Sequence, residues 1–418
     1  MATNVHFLSG QHVVVVGAGM AGLSFAVALR KLWPSGVPPP RVTIFERDTK
    51  QDVLGREGYS LSLAGYDETG GLVALKDLGL LDEILGHAIL GTDEKGSFKL
   101  WDANWNQILS VRFRPAPGLP TSGIRIARKH LRETLLGAVA DEIRWGTSCL
   151  SATKSEDGKV AVRVLENQGS QESTIECDLL VVADGASSKI RSSLRPDDVL
   201  QYAGAVQMGG LAHFPEGIPP PLNENWGQQV SGGHGVSCFY SPVDKNRLVW
   251  AFSFRESTPR QIIKPPASEE TARTLLDEIL QKGHMLGQPF KTIAGSATDL
   301  KEVFCLPARD KRPFSHDLEK TGPVVFIGDS NHAVSPFAGY GASLALKDGW
   351  DLAQKLTEAN SVVDAIRKYD AVSVPRATKV LGTSRSRIKW GHSTGLTYFL
   401  WHGFMKALGY ILWLTGRS

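Results

Sequence analysis

Four consecutive valines, Val13 to Val16, run straight into Gly17-Ala-Gly19-Met-Ala-Gly22, and an apolar stretch continues to residue 32. A strand that is apolar at every position is buried on both faces, as in a parallel sheet. Gly17 permits a tight turn, Gly19 lets the backbone approach a pyrophosphate, and Gly22 lets the next helix pack against the strand. The helix start offers free N–H groups and a positive dipole end to phosphates. Residues 33–40 form a Pro/Gly-rich connection, and residues 41–46 alternate into a second strand that ends on Glu46. An acidic side chain there accepts hydrogen bonds from an adenosine ribose. The sequence predicts a βαβ unit with a long return loop and a nucleotide site. A lone glycine motif is a weak signal, but the strand before it and the acid after it outweigh a merely structural turn.

Composition narrows the rest. The 418 residues are 42% apolar and 21% charged, with a formal charge of +3. That suits two globular domains and gives no basic, aromatic-interleaved patch for nucleic acid. Cys149, Cys177, Cys238 and Cys305 are far apart without a CxxC pair, which predicts free thiols in a reducing compartment and neither zinc nor disulfides. The first apolar run is the strand itself, not a cleavable leader, so a cytoplasmic protein is expected. Helices are predicted over residues 72–85 and 128–140, with strands at 159–165 and 174–183. From 199 to 308, short alternating segments between Pro, Gly and Asn turns predict an antiparallel sheet with one helix at 269–282. A buried strand returns at 324–327, followed by helices at 341–356, 362–369 and 373–390. The expected division is 1–198 for the first part of the nucleotide domain and 199–308 for a substrate sheet. The nucleotide domain then returns over 309–390, and 391–418 form an apolar terminal helix.

Two further motifs follow apolar strands. Asp184-Gly185 leads through Ser188 to Arg191, and Gly328-Asp329-Ser330-Asn331-His332 leads through Pro336 to Gly339-Tyr340-Gly341. Each alone could be a turn capping a helix. An acid just past a buried strand suits ribityl hydroxyls. The glycines at 339 and 341, with the next helix start, suit negative charge on a reduced flavin.

In this order the three motifs resemble those of the p-hydroxybenzoate-hydroxylase-like, group A FAD-dependent monooxygenases, over roughly the first 390 residues. Glu46-Arg47 and the RxxL segment at 128–131 look like FAD contacts of that family's tetracycline-degrading and fungal secondary-metabolite branches. The resemblance implies an α/β fold: a Rossmann-like, GR2-type FAD-binding domain, an antiparallel β-sheet substrate domain and C-terminal helices. The cofactor-binding residues it implies are Gly17, Gly19, Gly22, Glu46, Arg47, Arg128, Asp184, Asp329, Pro336, Gly339 and Gly341. The chain departs from the pattern at Ser330-Asn331, Tyr340, Ser343 and Lys347.

No second GxGxxG occurs, so NAD(P)H is expected to reach the flavin without a domain of its own. The resemblance implies that hydride reduces FAD, that O2 adds at C4a, and that the resulting hydroperoxyflavin passes one oxygen atom to a small aromatic, polyketide-like or alkaloid-like substrate. No protein nucleophile, metal or triad is expected, and His332 reads as structural. Gln207, His213, His234, Phe239, Tyr240, Trp250 and Phe337 are candidate pocket residues, although each also suits a core or surface role. A reductase or dehydrogenase on the same fold, or a flavin-binding protein without turnover, are the competing readings.

The tail stands apart. Residues 371–418 contain no Asp or Glu but include Arg376, Lys379, Arg385, Arg387, Lys389, Lys406 and Arg417. Residues 396–414 are almost wholly apolar and aromatic. A helix docked on the protein is expected, with peripheral membrane contact as its competitor.

Overall fold

The four valines lie within strand His12–Val16, in the middle of a five-stranded sheet. Its order is Val324–Phe326, Leu179–Val182, His12–Val16, Arg41–Phe45 and Ile143–Arg144, and every pair is parallel. The computed structural model describes residues 6–50, 59–92, 96–166 and 171–415; Arg417 lies outside them. The three motif strands are therefore neighbours, and all three motifs emerge at their carboxyl ends. That end of an open parallel sheet is where such folds bind ligands. The first helix, Met20–Leu32, packs closely on the return helix, Gly341–Glu358. Ser24 Oγ donates to Leu346 O at 2.7 Å, and a Cβ added at Gly349 would lie 2.5 Å from Phe25 N.

A seven-stranded sheet lies beside this domain, in the order Phe304–Asp310, Gln201–His213, Arg247–Arg255, Val236–Pro242, Trp226–Val230, Phe98–Trp101 and Gln107–Val111. The last two strands come from inside the first 198 residues, and the strand at 304–310 runs past residue 308. One face carries Met208, Tyr240, Trp250 and Phe252 in a core that includes Leu275 and Ile279 of helix Glu269–Lys282. The other face, with Gln207, Phe239 and Ser253, looks toward the parallel sheet's domain. A three-stranded sheet of Ser60–Ala64, Gly123–Ala127 and Ala88–Leu90 joins the two units. Its Ser60 Oγ meets Ser241 Oγ of the large sheet at 2.8 Å.

Two helix predictions needed redrawing. Gly79 adopts φ +82° and its N–H returns to Leu75 and Lys76 carbonyls, so the helix expected over 72–85 divides into Gly71–Leu78 and Leu81–Gly86. The two helices expected at 362–369 and 373–390 are one, Val362–Gly391, which runs through Pro375. Proline removes the donor to the carbonyl four residues back. Here Ala371 and Pro375 are both exposed, so water can satisfy that carbonyl. All four cysteines are free and buried. Among the described residues, no helix is long and apolar enough to cross a membrane.

Candidate active site

Gly17 sits at φ +101°, where a Cβ would come within 2.6 Å of Ala183 O. Beyond it the loop is gripped from outside. Glu46 Oε2 accepts from Ala18 N at 3.0 Å and from Arg132 Nη2 at 3.0 Å, while Arg132 Nε donates to Ala18 O at 3.0 Å. Both side chains are buried, so the pair is little screened by solvent and fixes the loop's shape. Glu46 Oε1 accepts from Asp48 N at 3.0 Å; a second lone pair on that oxygen suits a ribose hydroxyl. Arg132 escaped the sequence reading, although it stands four residues after Arg128 on the same helix face. Arg47 is 67% exposed and only 3.8 Å from Asp48, so it sits at the surface beside the site. Gly19, the N-cap of the first helix, provides no side-chain cap, and a Cβ there would meet nothing nearer than 3.9 Å. Space and free N–H groups coincide.

The middle motif ties loops together. Arg191 is buried and donates to Ala186 O at 2.6 Å, Asp198 O at 3.1 Å and Ser330 O at 2.8 Å. Asp184 Oδ2 accepts from Lys189 N at 3.1 Å, but its buried Oδ1 has no partner. Burial raises its carboxyl above the ordinary range. An orphaned buried acceptor implies a missing donor.

Asp329 is open to the cleft but walled in by protein on its other sides. Burial raises its carboxyl, and the charges of His332, Arg128 and Arg191 pull the other way. Its carboxylate makes no hydrogen bond among the described residues, and neither does the Arg128 guanidinium. His332 behind it is bonded within the protein through one nitrogen, and its buried Nδ1 has no partner among the described residues. Its Nε2 lies 2.5 Å from Asp348 Oδ2, which also accepts from Gly328 N at 2.8 Å. Asp348 Oδ1 accepts from Ser373 Oγ at 3.0 Å and Arg376 Nη2 at 2.8 Å.

The departures from the family pattern all bond inside the protein. Ser330 Oγ donates to Val182 O at 2.7 Å, and Asn331 Nδ2 donates to Phe314 O while its Oδ1 accepts from Phe314 N, both at 3.1 Å. Tyr340 OH donates to Asp67 at 3.1 Å, Ser343 Oγ accepts from Ala64 N at 3.1 Å, and Lys347 pairs with Asp351 at 2.7 Å. These bonds brace the 328–341 loop and the helix after it from within the protein. Pro336–Ala338 is a single 3-10 turn and Gly339 follows at φ +62°. The return helix then starts at Gly341 with no side-chain cap.

The candidate pocket residues separate by face. Gln207 and Phe239 stand on the sheet face opposite the Met208, Tyr240 and Trp250 core, and Phe337 is in the 3-10 turn before Gly339. Phe337 reaches the large sheet's side, with its ring 5.7 Å from His392. His392 Nδ1 donates to Ile388 O at 2.8 Å, which leaves Nε2 to accept from Ser253 Oγ at 2.8 Å. Burial holds this imidazole down at about 4, and therefore neutral. Tyr240 and Trp250 do not line the cleft. They occupy the opposite face of the sheet, fully buried, with Tyr240 OH donating to Gln229 Oε1 at 2.8 Å and Trp250 Nε1 to Thr298 Oγ1 at 3.0 Å. His213 and His234 are exposed, at a strand end and in a turn. Arg125, which the sequence did not flag, is buried in the three-stranded sheet with Cζ 5.8 Å from the Phe239 ring. Ser60 and Ser62 hold it and its Nε has no partner. Burial lowers its pKa to about 9. An open cavity of about 720 Å³, lined by His12, Arg41, Arg144 and Glu176 among others, includes none of these residues.

This arrangement offers two uncapped helix starts, two unpartnered carboxylate positions and a backbone-lined loop around one cleft. The family described as FAD binding domain matches residues 11–384. A monooxygenase of Aspergillus candidus, cfoF, is 45% identical over 94% of both chains. The chain belongs to the FAD-dependent monooxygenases. The fold of this monooxygenase is also that of HpxO from Klebsiella pneumoniae, solved with FAD and uric acid, at TM-score 0.75 and 21% identity over 99% of this chain and 97% of that one. A salicylate hydroxylase in complex with its substrate is similar at TM-score 0.72 and 22% identity, covering 98% and 96%. FAD is the monooxygenase's cofactor, and the cleft's unpartnered groups fit it: donors for phosphate, acceptors for hydroxyls.

Proposed function

We propose that this monooxygenase uses NAD(P)H and O2 to insert one oxygen atom into a small aromatic, polyketide-like or alkaloid-like molecule bound between the 336–341 loop and the large sheet. The observation that carries this reading is Phe337, a loop residue whose ring packs against His392, the residue capping helix Val362–Gly391, whose imidazole is bonded to Ser253 of the large sheet. Cofactor edge and substrate wall therefore adjoin. The names of the relatives support an aromatic substrate: a salicylate hydroxylase, and an HpxO solved with uric acid.

In this reading Gly17, Gly19 and Gly22 with the first helix's N–H groups hold the pyrophosphate, and Glu46 takes the adenosine ribose. Arg128, Asp184 and Asp329 take the remaining phosphate and hydroxyl contacts. FAD, when bound, supplies electron storage and the activation of O2. The chain's own part is to orient and exclude water. Backbone N–H groups at 339–341 and the uncapped start of the return helix stabilise negative charge at the ring edge they face. Gln207, Phe239, Phe337 and the neutral His392–Ser253 pair present an apolar wall with a few fixed polar atoms, which positions a flat substrate.

Asp329→Ala is expected to weaken FAD binding by about 10- to 100-fold, the loss of a hydrogen bond to a charged group. Flavin titration followed by fluorescence measures it, and an unchanged dissociation constant removes Asp329 from the site. The reaction itself is tested with NADPH, labelled O2 and a panel of phenols, polyketides and indoles. A product heavier by one labelled oxygen atom is expected. Stimulated NADPH oxidation with an unlabelled product gaining two hydrogens would identify a reductase instead.

A further inference from the structure

The last helix, Gly395–Leu414, has two apolar faces, and the fold covers only one. Tyr398, Trp401, Met405, Leu408 and Leu412 pack on Leu100, Ile108 and Leu109 of the outer strands of the large sheet. On the far side Leu396, Phe399, Leu400, Phe404, Tyr410 and Ile411 are each between 55% and 75% exposed. At helical periodicity these six form one stripe, about 23 Å long from Leu396 to Ile411. A stripe of that size left to water marks a partner surface.

We propose that this stripe lies in the surface of an anionic lipid bilayer, so that the helix is held by protein on one face and by lipid on the other. Charge selects this occupant. Residues 371–418 contain no Asp or Glu. Arg376 and Arg385 are engaged by Asp348 and Asp310, whereas Lys389 and Lys406 remain exposed. Lys406 on the helix itself and Lys389 in the last turn of the helix before it complement anionic headgroups. The exposed rings of Trp390, Tyr410 and Trp413 suit the headgroup boundary. A second copy of the chain fits less well, because a two-fold pairing of these helices sets one acid-free basic tract against another. Crossing the bilayer is excluded by length and apolarity among the described helices.

The position matters for the cleft. The helix begins three residues after His392, which stands in the cleft wall. Phe113, just past strand Gln107–Val111 on which the helix packs, lies 4.5 Å from Tyr66 in a tilted ring pair, and Tyr66 is 6.2 Å from Tyr340 of the cofactor loop. The start of the lipid-facing helix is therefore close in sequence to His392, and docking holds that region near the bilayer.

The FAD-loaded full chain is sedimented with phosphatidylcholine vesicles, alone or mixed with phosphatidylserine. Binding to the mixed vesicles is expected, with a blue shift of emission that Trp413→Phe reduces. The triple variant Phe399→Ser, Leu400→Ser, Ile411→Ser removes three exposed apolar side chains and is expected to lower partitioning about 100-fold. Lys389→Gln with Lys406→Gln is expected to lower it about 10-fold on the anionic vesicles only. The flavin spectrum checks that each variant is folded, and none of this needs turnover, so it stands or falls apart from the proposed reaction. A full-length chain that stays in the supernatant with both vesicles overturns the proposal. So does a concentration-dependent dimer that the triple variant abolishes without any vesicle binding.

Discussion

Asp348→Asn is expected to destabilise the protein by about 3–5 kcal/mol, the range for removing one partner from a buried ion pair. Asp348 is fully buried and accepts from Gly328 N, His332, Ser373 and Arg376. Asparagine keeps the shape but turns an NH2 group toward donors and leaves Arg376 undercompensated. Chemical denaturation measures the loss, and a change under about 1 kcal/mol would mean that the network contributes no net stability. A pH signature accompanies it. Burial pushes the His332 imidazole down, but the Asp348 carboxylate more than reverses this and its pKa is raised. Stability from a raised histidine is complete below the unfolded value of about 6.5 and is lost as pH climbs through the folded one. Wild-type stability should therefore decline on the alkaline side, and the decline should flatten in the variant. Asp348's own share is lost only in strong acid, since its carboxyl is held far below the usual range.

Gly22→Ala is expected to yield protein without flavin and destabilised by about 3 kcal/mol or more, at the upper end for overpacking. The added Cβ would lie 2.2 Å from Gly17 O and 3.1 Å from Val15 Cγ1. Both contacts are rigid, so the first helix must move away from its strand and carry its N–H groups off the phosphate position. Flavin absorbance after gel filtration, with a melting curve of the same sample, gives both readouts. Full flavin content would show that the helix can shift without losing the nucleotide.

Much of this site was legible because it is built from backbone. A glycine loop after a buried strand, an acid at the next strand's end and a helix start after Gly339 announce themselves by residue type and spacing. Side-chain placement was less legible. Phe239 and Tyr240 are consecutive on one strand and must point to opposite faces, so both could not line one cleft. Nothing local said which face the helix 269–282 would cover. Arg132 was missed because its partner, Glu46, is 86 residues away in sequence. Arg125 sits between Ile124 and Ile126, where alternation reveals a strand but not what its polar face meets. The tail helix is apolar nearly all round, so its periodicity predicted a helix without telling the docked side from the bare one.

The five-stranded sheet draws its three motif strands from residues 12–16, 179–182 and 324–326. Synthesis delivers them in that order, and sheets assembled from such distant pieces form slowly. Until Val324–Phe326 and the helix from Gly341 have left the ribosome, the first helix lacks the Leu346 carbonyl for Ser24 and the close contact of Gly349 with Phe25. The nascent chain thus has half a nucleotide cradle and an apolar helix flank bare for most of its elongation. A complete nucleotide cradle therefore draws on residues from both ends of the chain, and FAD binding is expected only of a chain in which the 324–326 strand and the helix from Gly341 are in place.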